Sequence, residues 1–306
     1  MEFGRVPAHL LEAIDFRLAE EPVWNRKVLC GASNPAPVVY TGCPKWGAKH
    51  WLGKIYPEKT KERDFLSNYI QHFNSIELNA THYKVYDEQT ILKWTAAAVG
   101  KDFLFCPKMY QDITHRGALN DKQMLTTLFL NPLRAFKEHL GPVFIQLSEH
   151  FSIRRKPELL AYLATLPQDI SFFLELRHPD WFSHPLVFEA FLKQLQQMNI
   201  GIVITDTAGR RDCAHMYLSI AKVFIRFVSN SLDPSDYTRL DDWVQRLKYW
   251  FDHGLETAFF FIHMQEEAMS PELAAYFNLQ IKEVLHIPVT TPKFIEKNTL
   301  FEAIIY

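Results

Sequence analysis

Cysteine, glycine and any imbalance of charge are scarce in this sequence, and each shortage narrows what it encodes. Four cysteines, Cys30, Cys43, Cys106 and Cys213, are spread over 306 residues with no CxxC spacing. Such sparse spacing reads as reduced thiols in a cytoplasmic protein rather than a disulfide framework. The chain has only 11 glycines, and neither GxGxxG nor a Walker loop occurs. A nucleotide cofactor therefore has no visible cradle, and HExxH and GxSxG are missing as well, so no cofactor is expected. Lys and Arg number 33 against 35 Asp and Glu, a formal net charge of −2. That balance argues against a globally basic nucleic-acid binder and leaves nucleic acid a less favoured partner. No apolar run approaches the roughly 20 residues needed to span a bilayer, so no membrane partner is expected. Glu2, Arg5, Glu12, Asp15 and Arg17 interrupt the amino-terminal stretch and leave no signal-type apolar core.

What is abundant is buried-type sequence. Hydrophobic residues make up 48% of the chain, with 24 Phe among them, which argues for a large packed core. Eight short β-type runs follow one another: VVYTG (38–42), SIELN (75–79), FLFCPK (103–108), VFIQLS (143–148), FFLELR (172–177), IVITD (202–206), VFIRFV (223–228) and FFFIHM (259–264). Most intervening segments carry apolar residues three and four apart, the helical spacing, and several open at a proline such as Pro157 or Pro271. Strand and helix alternating eight times predicts an α/β fold, a single-domain (β/α)8 TIM barrel. The predicted boundaries are an amino-terminal helical arm over 1–37, packing outside the barrel and near its bottom, a barrel over 38–290, and a tail over 291–306. One unit is irregular. Only 16 residues separate Asp206 from Val223, too few for a full helix with two loops.

The strands end in polar residues: Glu77 and Asn79, Lys108, Gln146, Glu175 and Arg177, Asp206, Arg226, and His263, with Thr41 or Cys43 from the first strand. Where two share a strand they are two apart, so they share a face. The helix-facing side must be apolar, which predicts that the polar face points into the mouth, where barrel active sites form. Each residue alone has a plain structural reading as an ion-pair partner. Three acids against three bases can neutralise one another, but such pairs stabilise weakly, and repetition on seven strands favours a site. His115, after the third strand, is a candidate to reach over the mouth.

The run WLGKIYP (51–57) and then NSIELNATHY (74–83), followed by Lys108, Thr114-His115, Gly141-Pro142 leading to Gln146, Glu175-Leu176-Arg177-His178, Asp206 and Arg226, resembles the YecE-like family of TIM-barrel proteins, domain of unknown function 72. The resemblance covers roughly 38–265. It implies the same barrel, with Glu77, Asn79, Tyr83, Lys108, Gln146, Glu175, Arg177, Asp206 and Arg226 on a shared polar rim. Two departures stand out: Phe227-Val228-Ser229 replaces the family's x-H-G after the seventh-strand arginine, and His263-Met264 replaces an asparagine pair.

The leading expectation is a metal-independent enzyme or binder of a small anionic molecule. Lys108, Arg177 and Arg226 would hold a phosphate or carboxylate. Glu77 and Glu175 are the acid/base candidates, joined by Lys108 and Asp206 as catalytic residues. Asn79, Tyr83, His115, Gln146 and His263 would orient the ligand. The alternatives are a metal-dependent phosphodiesterase or nuclease using Glu77, Glu175, Asp206 and His263, and a non-catalytic scaffold barrel.

Overall fold

A computed structural model describes residues 3–29 and 31–296, so Cys30 and the tail beyond 296 lie outside the described residues. The strands are β1 (Val38–Gly42), β2 (Ser75–Leu78), β3 (Leu104–Pro107), β4 (Val143–Gln146), β5 (Phe172–Glu175), β6 (Ile200–Asp206), β7 (Lys222–Val228) and β8 (Thr257–His263). Among them run α1 (Phe65–Tyr69), α2 (Ala80–Tyr83), α3 (Glu88–Ala98), α4 (Gln111–Thr114), α5 (Gln123–Leu133), α6 (Lys156–Leu163), α7 (Pro185–Gln197), α8 (Pro234–Asp252) and α9 (Ser270–Gln280). Local chemistry starts the helices. Pro157, Pro185, Pro234 and Pro271 occupy first turns, where no amide donor is needed. Asp87 and Asp233 accept from the amides of Thr90 and Ser235 as caps.

All strand pairings are parallel, in a six-stranded sheet ordered β1-β8-β7-β6-β5-β4 and a pair β2-β3. The fold is therefore α/β with a parallel sheet, and no single continuous ladder runs through all eight strands. Short contacts cross the two seams. Between β3 and β4, Met109 donates to the Phe144 carbonyl at 2.9 Å and Gly141 to that of Phe105 at 2.8 Å. Between β1 and β2, the Glu77 amide donates to the Cys43 carbonyl at 3.3 Å, and the Asn74 side chain bonds both the Thr41 amide and the Val39 carbonyl. Gly42 permits this approach: a Cβ there would stand 2.0 Å from the Ser75 carbonyl oxygen.

Alternation along the strands sorts the core into two layers. Cys106, Phe144, Phe173, Val203, Phe224, Phe259 and Phe261 pack together as one inner cluster. Their strand neighbours, such as Ile145, Leu174, Ile204, Phe227 and Ile262, join the larger cluster beneath the helices.

Between β6 and β7 stands a single 3-10 turn, Arg211–Cys213, in place of a helix, as the spacing predicts. The amino-terminal arm is the correction. Its helical content is two 3-10 segments, Ala8–Ala13 and Val23–Lys27, and it starts at the strands' carboxyl ends before reaching the amino ends, where Asn34 bonds the Leu255 and Glu256 carbonyls ahead of β8. At the carboxyl ends the Gly4 carbonyl accepts from the Thr207 hydroxyl and the Gly209 amide. Farther along, Trp24 donates to the Leu218 carbonyl at 2.7 Å, and Asn25 bonds both the Met216 carbonyl and the Leu218 amide. Glu21 accepts from Arg246 and Trp250 of α8. The arm thus satisfies backbone groups of the connection that a missing helix would otherwise have covered.

Candidate functional site

The inner aromatic layer fixes what stands above it. Two residues beyond Phe144, Phe173, Val203, Phe224 and Phe261 come Gln146, Glu175, Thr205, Arg226 and His263, all on the inward face. Arg226 is the centre of this layer and is 1% exposed. It grips Glu77 with two bonds, Nε to Oε2 at 2.9 Å and Nη2 to Oε1 at 2.7 Å, and reaches Glu175 Oε2 through Nη1 at 2.7 Å. Glu77 also accepts from Asn79 Nδ2 at 2.8 Å and meets His263 Nε2 at 2.8 Å. Glu175 accepts from Arg177 Nε at 2.8 Å and the Thr205 hydroxyl at 3.2 Å. Burial pushes both carboxyls up, but their charged and hydrogen-bonding partners outweigh it. Arg226 and His263 hold Glu77 well below the usual carboxylate range, and Arg177, Arg226 and Lys108 bring Glu175 to about 2.

A cavity of about 720 Å³ opens over this layer. Lys108, Arg177, Arg226, Asn79, Gln146 and His263 line it, whereas Glu77 and Glu175 lie beneath and do not. Arg177 and Arg226 face the cavity with Glu175 and Glu77 behind them, while Lys45, Glu149 and Glu267 also line it, the first and last as an ion pair. Lys108 is 8% exposed, and its ammonium has no hydrogen bond or ion pair among the described residues; it stands over the Phe144 ring, 5.9 Å from its centroid. Burial, then the Arg226 charge, lowers its amine from the ordinary 10.5 to about 7 against the pull of Glu175 and Glu77. Gln146 Nε2 lies 3.3 Å from His115 Nε2, while its buried Oε1 has no protein partner. His115 stands at the exposed rim with its imidazole partly covered, and that partial desolvation followed by the Lys108 charge brings its pKa to about 4. Tyr83 lines the opening at 68% exposure. Phe3 of the arm covers one wall, its ring 4.1 Å from the Arg177 guanidinium.

Two expectations are corrected. Asp206 is on the wrong face: it shares parity with Ile202 and Ile204 and points at α8, where Arg239 and Trp243 bond it. Thr205 occupies the inward place instead. On β1, Thr41 and Cys43 likewise face away, since Tyr40 is the residue that stacks on inner Phe259. His82 and Phe3 went unnoticed in the sequence. His82 lines the cavity, and its Nδ1 must donate to the Met109 carbonyl at 2.7 Å, which leaves Nε2 unprotonated. Burial, then Lys108, lowers its pKa to about 3. Its signal was its place in the turn directly after β2; Phe3 offered none. Among the described residues, no group of three or more His, Cys, Asp or Glu is placed to hold a metal ion.

A family model described as protein of unknown function DUF72 matches residues 40–294. The chain is 26% identical over 282 residues to UPF0759 protein YecE of Escherichia coli (strain K12), spanning 86% of this chain and 100% of that protein. It is 30% identical over 157 residues to UPF0759 protein YunF of Bacillus subtilis (strain 168), spanning 48% of this chain and 54% of that one. A solved DUF72 protein from Enterococcus faecalis V583 superposes with a TM-score of 0.63 at 17% identity, covering 85% of this chain and 100% of that one. Another, from Thermotoga maritima MSB8, gives 0.57 at 19% identity, covering 81% and 99%. At such identities the two structures establish a shared fold.

Proposed function

The chain belongs to the DUF72 family, and from that membership and the geometry of its cavity we propose that it binds a small molecule bearing a phosphate or carboxylate. The observation that carries this reading is the layering of charge: of four basic side chains lining the cavity, Arg177 and Arg226 have carboxylates tucked behind them, Lys45 pairs with Glu267, and Lys108 has no ion pair among the described residues. Arg177 and Arg226 would meet the anion with preorganised guanidinium donors, and Lys108 would add charge beside them. Asn79, Tyr83, Gln146 and His263 would orient the rest of the ligand. Glu77 and Glu175 are better assigned to fixing Arg226 than to acid/base work, because their oxygens already accept hydrogen bonds from that arginine. The same occupancy weighs against a metal-dependent phosphodiesterase, which would need those oxygens as ligands. We also propose that the eight strands close as a TIM barrel, supported by the β1–β8 pairing and the bonds across both seams. A cytoplasmic location fits the free thiols of Cys43, Cys106 and Cys213.

The test is thermal unfolding across a phosphate titration at constant ionic strength, for the wild type and Lys108→Met. Ligand bound only by the folded state stabilises by RT ln(1 + [L]/Kd), about 2.7 kcal/mol at a hundredfold excess over Kd. The variant should respond at least about tenfold more weakly, the effect of losing roughly 1.4 kcal/mol of binding. No phosphate-dependent gain in the wild type, or equal gains in both proteins, would refute the reading.

A further inference from the structure

We propose that Lys108 is a nucleophile that forms an imine with a small aldehyde or ketone whose phosphate or carboxylate sits on the neighbouring guanidiniums. This deepens the anion reading above and rests on it. Geometry supports it first. The Lys108 side chain is more than nine-tenths buried, yet its nitrogen faces a cavity large enough for a small organic molecule and touches no protein acceptor. A lysine kept only for charge would be expected to carry a counter-ion, as Arg226 does twice over. Instead the environment favours the neutral amine. An apolar surround with Phe144 and a fixed guanidinium close by are the two means by which lysines become nucleophiles at neutral pH. The lowering of the Lys108 amine described above agrees.

Two further groups suit the chemistry. Gln146 Oε1 is buried on the cavity wall without a donor, so it is ready to accept from a hydroxyl. His82 presents an unprotonated Nε2 on the same lining, a second acceptor. In the reaction the Lys108 nitrogen attacks the carbonyl carbon, forming the C–N bond as the C=O π pair moves to oxygen. That oxygen takes a proton from the nitrogen to give a carbinolamine, whose hydroxyl Gln146 or His82 can accept from. Loss of the hydroxyl with the second amine proton releases water and leaves the imine. Amine plus carbonyl compound equals imine plus water, so no oxidant or reductant is required.

The experiment treats the full chain at neutral pH with sodium cyanoborohydride and pyruvate, an anionic ketone, or with acetone, a neutral one, followed by peptide mapping. An amine titrating near neutrality has a neutral fraction on the order of 10³ larger than an ordinary lysine at pH 7, partly offset by its lower basicity. Pyruvate should therefore label Lys108 at least about tenfold faster than surface lysines, excess phosphate should suppress that labelling, and acetone should label it much less. Lys108→Arg, which has no amine to form an imine, should lose the label. Phosphate stabilisation of the wild type without selective labelling of Lys108 overturns the nucleophile and spares the anion reading. Equal labelling of Lys108 by acetone and pyruvate, indifferent to phosphate, overturns the substrate class together with the anion reading.

Discussion

Arg226→Met asks how much of the site is held by one side chain. The substitution keeps the approximate length but deletes three bonds to two carboxylates, each fully buried at 0% exposure. The loss is unequal. Glu175 retains Arg177 at 2.8 Å and Thr205, whereas Glu77 retains only Asn79 and the imidazole of His263. Burial is the largest influence on that imidazole, lowers its pKa and persists in the variant, so at pH 7.5 it offers Glu77 a hydrogen bond rather than a charge. The uncompensated charge is therefore mainly on Glu77, and one orphaned buried carboxylate costs about 3–5 kcal/mol. Urea unfolding at pH 7.5, followed by tryptophan fluorescence, should show a loss of that size. Glu77→Gln in the Arg226→Met background should restore most of it, and Glu175→Gln much less. The pH dependence adds a check on sign. In the wild type Glu77 is depressed, so its contribution is present above the ordinary carboxylate value and fades only in acid. In the variant, burial without the guanidinium raises Glu77, so the folded state binds more protons and gains stability as pH falls. The gap between the two proteins should narrow from pH 7.5 toward 5. A loss below about 1 kcal/mol, or a gap that holds constant, would refute the view that Arg226 is chiefly a bridge between acids.

Lys108 makes the opposite prediction, since a buried ammonium without a counter-ion opposes folding. Its amine falls from 10.5 to about 7, and at 1.36 kcal/mol per pH unit that is about 5 kcal/mol. The unfolded chain binds the extra proton between those values, so wild-type stability attributable to Lys108 should rise with pH across roughly 7 to 10.5. The groups setting this value are Arg226, Glu175, Glu77 and Arg177; Lys108→Met, measured by urea unfolding at pH 6 and 9, should remove most of the slope and be the more stable protein at pH 6. Equal slopes would rule out the lowered amine. Asp206→Asn should cost roughly 3 kcal/mol, the lower end for a broken buried pair because Arg239 keeps Asp236. Because Asp206 faces α8, the phosphate response should be untouched, and a lost response would place it back at the cavity.

The amino-acid sequence by itself determined the succession of elements. Eight β-type runs fall on β1–β8, and the 16 residues after Asp206 left room for no more than the turn Arg211–Cys213. It also placed Glu77 with Asn79, and Glu175 with Arg177, on one face of their strands, because residues two apart on a strand point the same way. Which face of a strand looks inward was a different matter. In IGIVITD both faces are apolar, as parallel strands buried on two sides must be, so periodicity carried no sign, and a shift of one residue exchanged Asp206 for Thr205. Only packing against the inner phenylalanine layer chose between them. Charge behaved likewise. Sequence could count acids and bases, but tertiary structure put Glu77 and Glu175 beneath Arg226 and left Lys108 alone above them. The physical reason is that pairing depends on depth and direction within the cavity, and those follow from how eight strands tilt and stagger together rather than from any one of them.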